Sequence, residues 1–178
     1  SANDGGGCVS NDGGATWSTQ ANQPTAQLYR VATDNAFPYR LLAGQQDNSA
    51  LRIRSRSLNA GAIGARDWEP TAGGESGWVA AKPGAPDIVF GGSYMGYLTR
   101  LDHATGAERG VDVWPEDTMG HAAKDAKYRF QWNFPLLFSR HHPQRLYAAG
   151  NRLFISDNDG QTWTPISPDL TRADPATL

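Results

Sequence analysis

Ser10-Asn11-Asp12-Gly13-Gly14-Ala15-Thr16-Trp17 and Ser156-Asp157-Asn158-Asp159-Gly160-Gln161-Thr162-Trp163 write one pattern twice, Ser-x-Asp-x-Gly-x-Thr-Trp, with Asn158 at the aspartate position of the second copy. A short polar side chain at Asp12 or Asn158 accepts hydrogen bonds from neighbouring backbone amides and closes a turn. Gly14 and Gly160 supply a positive φ. Trp17 and Trp163 carry faces large enough to pack between sheets. With Ser10, Thr16, Ser156 and Thr162, these residues predict two β-hairpins. A calcium loop is the alternative, since Asp157 and Asp159 alternate as ligands would. No glutamate follows the second copy, so the polar groups read as hairpin struts.

Working outward, a second pattern recurs three times: a short apolar strand, a proline-containing turn, and a strand ending in small residues and glycine. The copies are Leu28 to Thr33, Phe37-Pro38 and Tyr39 to Gly44; Gly77 to Ala81, Lys82-Pro83-Gly84 and Asp87 to Gly92; and Pro135 to Ser139, His142-Pro143 and Gln144 to Gly150. Gly44, Gly92 and Gly150 mark a period of about 50 residues, the length of a four-stranded propeller blade. Two further strands complete each copy: Leu51 to Arg54 and one near Trp68; Tyr97 to Arg100 and Val111 to Trp114, joined by a turn at Asp102 to Gly106; Arg152 to Ile155 and Thr162 to Ile166.

The expected fold is therefore all-β, with about three and a half blades of four antiparallel strands in one partial β-propeller. Residues 1–22 form a half blade with the first hairpin motif, 23–73 and 74–115 two blades, and 131–168 a blade with the second motif. Residues 116–130 form an inter-blade loop with a helical turn at His121 to Lys127, and 169–178 a polar tail. So few blades cannot close a ring. Self-association, or union with the remainder of a larger propeller, follows from the apolar surface left open.

Composition supports many short strands, with 20 glycines and 11 prolines among 178 residues. Sixteen basic and 18 acidic residues nearly cancel, which gives no general attraction to nucleic acid or anionic lipid. Arg52, Arg54 and Arg56 alternate and read as the wet face of one strand. Cys8 is the one cysteine, so no intrachain disulfide and no cysteine-rich metal site is expected. His141-His142 diverge on an extended chain, and His103 and His121 have no spaced partner, so no metal is expected. Gly5-Gly6-Gly7 precedes a strand and opens no phosphate-binding helix, and no other feature implies a cofactor. No apolar run approaches a membrane span. The polar start Ser1-Ala2-Asn3-Asp4-Gly5 is no signal peptide, although a mature secreted product would look the same.

The two eight-residue motifs resemble Asp-boxes, the bacterial neuraminidase repeat. With Asn22-Gln23-Pro24-Thr25, Gly44-Gln45-Gln46-Asp47-Asn48, Tyr128 to Asn133 and Gly150 to Phe154, nearly the whole chain resembles the Asp-box propellers of the sortilin-like, glycosyl-hydrolase-like superfamily. The resemblance implies a piece of a larger extracellular or periplasmic protein. It also implies either a carbohydrate ligand with possible hydrolysis of glycosidic bonds, or a peptide ligand bound without catalysis, as in sortilin-type receptors. The fold is shared more widely than any activity.

A glycosidase needs two carboxyl groups across the scissile bond. Candidates in loops are Asp47, Glu75 and Asp117, with Asp47 first because amides flank it. The competing reading of Asp47 is an Asx-type turn between the second and third strands. Gln46, Asn48, Tyr94, Arg129 and Trp132 are candidate substrate contacts. Phe130-Gln131-Trp132-Asn133-Phe134 reads equally as a sugar-binding groove or as packing between blades. Sialidase chemistry, with Tyr128 and Arg129 acting together, is disfavoured because strand neighbours face opposite ways.

Overall fold

A computed structural model describes residues 1–3, 6–20, 26–59 and 61–178. Asn22-Gln23-Pro24-Thr25, quoted above for the resemblance, lies outside them, as do Asp4 and Gly5. The chain is all-β. β1 (Ala2–Asn3) and β2 (Gly6–Gly7) form a two-stranded sheet, and three four-stranded antiparallel sheets follow in chain order. The first sheet is β3 (Ala32–Thr33), β4 (Arg40–Ala43), β5 (Leu51–Arg54) and β6 (Trp68–Pro70). The second is β7 (Val79–Lys82), β8 (Ala85–Gly92), β9 (Leu98–Asp102) and β10 (Ala107–Gly110). The third is β11 (Leu136–Phe138), β12 (Leu146–Ala149), β13 (Leu153–Ser156) and β14 (Thr164–Pro165). Each is a simple meander, and β7 lies beside both β3 and β11, so the first strands of the three sheets neighbour one another.

Period-two alternation gives each sheet two faces. In the first sheet the ladder Ala32–Leu42–Arg52–Glu69 faces the second sheet, which answers with Ala81–Val89–Leu101. The opposite face of the second sheet, Ala80–Phe90–Arg100, meets Leu136–Ala148–Phe154 of the third. Two ladders have no sheet against them among the described residues: Leu41–Ile53–Trp68 and Leu137–Tyr147–Ile155. Leu42 and Phe90 stand two residues before Gly44 and Gly92 and point to the following sheet; the same count from Gly150 reaches Ala148, which faces the second sheet, so the glycine markers slip by one in the third copy.

Four expectations need correction. The fourth strand of the second sheet is Ala107–Gly110 rather than Val111 to Trp114. The turn is tight, with Gly106 N–H donating to Asp102 C=O at 2.7 Å, so the return strand begins at once. Val111 and Val113 instead enter the core against the third sheet. In the first copy only Ala32–Thr33 is regular strand, with Leu28 held by an isolated bridge to Gln45. Arg52 is buried, not wet: it donates to Glu69 at 2.8 Å and to Asp87 at 3.3 Å. Trp17 is 54% exposed and packs between no sheets.

The loop through 116–130 carries the expected turn as a short 3-10 segment, Ala123–Asp125. It closes on itself through Lys127, whose Nζ lies 3.2 Å from the Trp114 ring centroid and whose N–H donates to Glu116. Such a contact offsets part of the ordering cost of a long loop.

Candidate functional site

Both Ser-x-Asp/Asn-x-Gly-x-Thr-Trp segments close with the same serine and backbone hydrogen bonds, and differ in that the Thr16 hydroxyl donates to Asp12 where the Asn158 amide donates to the Thr162 hydroxyl. Thr16 N–H donates to Asp12 at 2.9 Å and Thr162 N–H to Asn158 at 3.0 Å; Ser10 and Ser156 hydroxyls donate to the same residues and accept from Gly14 and Gly160. The Thr16 hydroxyl and backbone donors hold the Asp12 carboxyl down at about 2. These polar groups are engaged within their own hairpins.

The loops at one rim of the sheets are different. Gln45 to Asn48 make a β-turn between β4 and β5, closed by Asn48 N–H on Gln45 C=O at 3.0 Å, with Asp47 at φ 58. Asp47 is in the left-handed region, where aspartate is among the more tolerated residues. The turn is a backbone turn rather than an Asx turn, since the Asp47 carboxylate accepts from the Gln46 side chain at 2.7 Å. The same Gln46 Nε2 donates to Glu75 at 2.8 Å, and Asp47 N–H donates to that Glu75 oxygen at 3.1 Å. One amide nitrogen thus bridges two carboxylates, keeping these oxygens within about 5.5 Å of each other.

Asp47, Asn48, Gly74, Glu75, Ser93 and Tyr94 line an open groove of about 450 Å³. Behind it, Tyr94 stacks on Trp132 with centroids 5.3 Å apart and planes at 16°. Trp132 Nε1–H donates to the Tyr29 hydroxyl at 3.0 Å, and Tyr29 donates to Gln46 Oε1. A relay therefore runs from Trp132 through Tyr29 and Gln46 to both carboxylates. Close packing supports it: a Cβ at Gly74 would lie 2.5 Å from Ser93 Oγ, so the loop before β7 rests directly on the loop after β8.

Seven of the eight candidates fall on this rim or are tied to it, though not in the roles assigned. Asp47, Glu75, Asn48 and Tyr94 line the groove, while Gln46 and Trp132 stand behind it as supports. Asp117 joins from the side: it accepts from Tyr97 at 3.1 Å, and Tyr97 packs edge-on against Tyr94 at 5.9 Å. It also caps its own loop through Met119 N–H at 2.9 Å. Arg129 is the exception. Its guanidinium donates to Asp169 at 2.8 Å and Thr171 at 2.9 Å, where donors from Thr171, Asn151 and Arg129 hold the Asp169 carboxyl well below the usual range. Arg129 anchors the tail. The segment Phe130 to Phe134 is a turn, closed by Phe134 N–H on Gln131 C=O at 3.0 Å, so its even positions part: Phe130 and Phe134 pack in the core, and Trp132 stacks on Tyr94.

Tyr29 and Ser93 were missed. Tyr29 reads as one more apolar strand residue, and its partners lie 17 and 103 positions away in sequence. Ser93 follows Gly91-Gly92, and that small-residue strand end is the signal that was there to find. Against known proteins, no family profile matches this sequence, and no curated protein matches it.

Proposed function

We propose that this chain is a section of a β-propeller of the Asp-box, sortilin-like type that binds carbohydrate in the groove at Asp47 and Glu75. Hydrolysis of a glycosidic bond is its candidate chemistry. The architecture is supported by three four-stranded meanders with β7 beside both β3 and β11. The carrying observation for the ligand is the Gln46 amide between two carboxylates, beside the stacked Tyr94–Trp132 pair. Sugar hydroxyls donate to carboxylates, and pyranose C–H faces lie against aromatic rings.

The test is a panel of soluble oligosaccharides followed by tryptophan fluorescence, with chromogenic glycosides for turnover. Binding that weakens at least about tenfold in Asp47→Asn and in Glu75→Gln is the expected result, the usual effect of losing a charge-assisted hydrogen bond. Binding without turnover keeps the ligand and removes the hydrolase. A panel without any binder, set beside a peptide that binds competitively at the same rim, overturns the reading in favour of a sortilin-type peptide module.

The same reading assigns the two uncovered ladders. Leu137–Tyr147–Ile155 and Leu41–Ile53–Trp68 are the faces by which the chain meets further sheets, from other copies or from the rest of a larger propeller. Light scattering at low concentration should find self-association of the isolated chain, and a stable monomer would count against it.

A further inference from the structure

We propose that the groove selects by charge: with the Gln46 amide turned donor-first onto Asp47 and Glu75, and Tyr29 positioning it from the other side, two carboxylates face the groove with no cation among its lining, so it takes neutral or amino saccharides and rejects acidic ones. The inference rests on the carbohydrate reading above and adds the substrate class.

The polarity of the relay follows from its two ends. The indole of Trp132 is donor only, so at 3.0 Å from Tyr29 it must donate to the hydroxyl oxygen. The hydroxyl proton of Tyr29 then has one direction left, toward Gln46 Oε1. At the other end Asp47 and Glu75 accept, and the Gln46 NH₂ supplies the donor that both share. An amide turned the other way would set its carbonyl oxygen against two carboxylates and its NH₂ against a hydroxyl whose oxygen already accepts from Trp132. Donor-only and acceptor-only ends thus permit one orientation, and hydrogen bonds in such a chain strengthen each other.

The consequence for a ligand is direct. Gln46 has no donor left for the groove, and the backbone N–H of Asp47 is taken by Glu75. The six lining residues include no cation. Among the described residues, Asp47 Oδ2 and Glu75 Oε1 accept no hydrogen bond, so the site presents two open carboxylate acceptors. A sugar diol or an ammonium group satisfies them. A uronate or sialate brings a like charge into the same groove with no cation in its lining to offset it.

Calorimetric titration of the intact chain with matched pairs tests this: galacto-oligosaccharide against oligogalacturonate, manno-oligosaccharide against oligomannuronate, and chitosan oligomers as the amino arm. At least one neutral or amino oligomer should bind, with the uronate partner weaker by at least about tenfold, since charge repulsion in an open groove is screened but not abolished. Tyr29→Phe should narrow that gap and change the Gln46 side-chain amide resonances in ¹⁵N spectra, with an unchanged melting temperature. Glu75→Gln should raise uronate affinity by itself, so the proposal stays falsifiable if Tyr29→Phe does not fold. Equal or tighter uronate binding overturns the inference while leaving the carbohydrate reading intact, as does a Tyr29→Phe protein with the wild-type gap and amide signals. Failure of every saccharide to bind overturns both.

Discussion

The two junctions between sheets are built from different materials. Between the second and third sheets lie Phe90, Phe134, Phe154, Leu98, Leu136 and Leu146, all fully buried, with edge-on contacts such as Phe90–Phe138 at 5.5 Å. Between the first and second sheets the buried apolar residues are fewer and mostly smaller: Leu42, Ala50, Ala72, Val79 and Val89. There, Arg40 bonds to Asp34 and to Asp87 at 2.9 Å, and Arg52 to Glu69 and Asp87. An aromatic junction stabilises by area removed from water. A junction of buried Arg40, Arg52 and Asp34 with half-exposed Glu69 and Asp87 contributes less net stability, and its buried pair is costly to leave half broken. The fold places Phe90 and Arg52 alike on inward faces, although alternation alone reads Arg52 as wet; side-chain chemistry decides what each face can tolerate.

The largest effect should come from the aromatic side. Phe90→Ala removes a fully buried ring packed edge-on against Phe138 and should cost about 3–5 kcal/mol. Leu42→Ala, at the equivalent position of the first sheet, should cost less, because its surroundings are small and relax more readily. Urea midpoints for the two variants measure the difference, and equal losses would remove the distinction between the junctions.

Arg40→Met breaks the polar junction on one side only. Asp34 is fully buried and would keep just its backbone donors from Ala36 and Arg40. The loss should be about 3 kcal/mol, as for other buried pairs that lose one partner. Double replacement of Asp34 and Arg40 by apolar residues should recover part of it. If the single and double variants are equally unstable, packing rather than charge explains the site.

Acid should find the polar junction as well. His103 Nε2 lies 2.8 Å from the Thr71 hydroxyl, and the ring is nearly buried. Burial first, and the guanidinium of Arg52 second, push its pKa below the ordinary value. The unfolded chain therefore takes up the proton first. Stability from this group is intact above about pH 6.5 and declines as pH falls below it. His103→Asn should flatten that decline in denaturation curves between pH 7.5 and 5.5, whereas Phe90→Ala should keep it.

These residues also mark what sequence alone made legible. Strand positions followed from local apolar runs punctuated by glycine and proline, and eleven of the twelve strands of the large sheets lie where those runs are. The exception, β10, failed because Val111 and Val113 look like a strand, while the tight turn at Gly106 starts the strand earlier. The candidate rim was legible as loops holding Asp47, Glu75 and Tyr94. The relay was not, because Tyr29 and Trp132 meet only when the first and third sheets are placed around the second. Arg52 misled for the same reason: alternation gives a face, and the partner sheet decides whether that face is wet.

The smallest test contrasts the two hairpins at the ends of this arrangement. The second is locked to the aromatic junction: Trp163 donates to Val111 C=O at 2.8 Å, and Lys82 pairs with Asp159 at 2.7 Å. The first has the same serine and backbone bonds, yet Trp17 is exposed and donates to Gly14 within its own turn at 3.1 Å. Replacing the strut should therefore act globally in one place and locally in the other. Asn158→Ala should lower the urea midpoint by about 1 kcal/mol equivalent, a normal figure for lost side-chain-to-backbone bonds. Asp12→Ala should leave that midpoint unchanged and only speed hydrogen exchange at the Thr16 amide. Acid sharpens the contrast. Asp12, held at about 2 by its donors, steadies its hairpin above the ordinary carboxylate range and loses that contribution as pH falls through 2. Asn158 has no proton to gain, so exchange at Thr162 should stay flat where exchange at Thr16 rises. Parallel behaviour of the two amides would mean that tertiary anchoring, and not the strut, governs both hairpins.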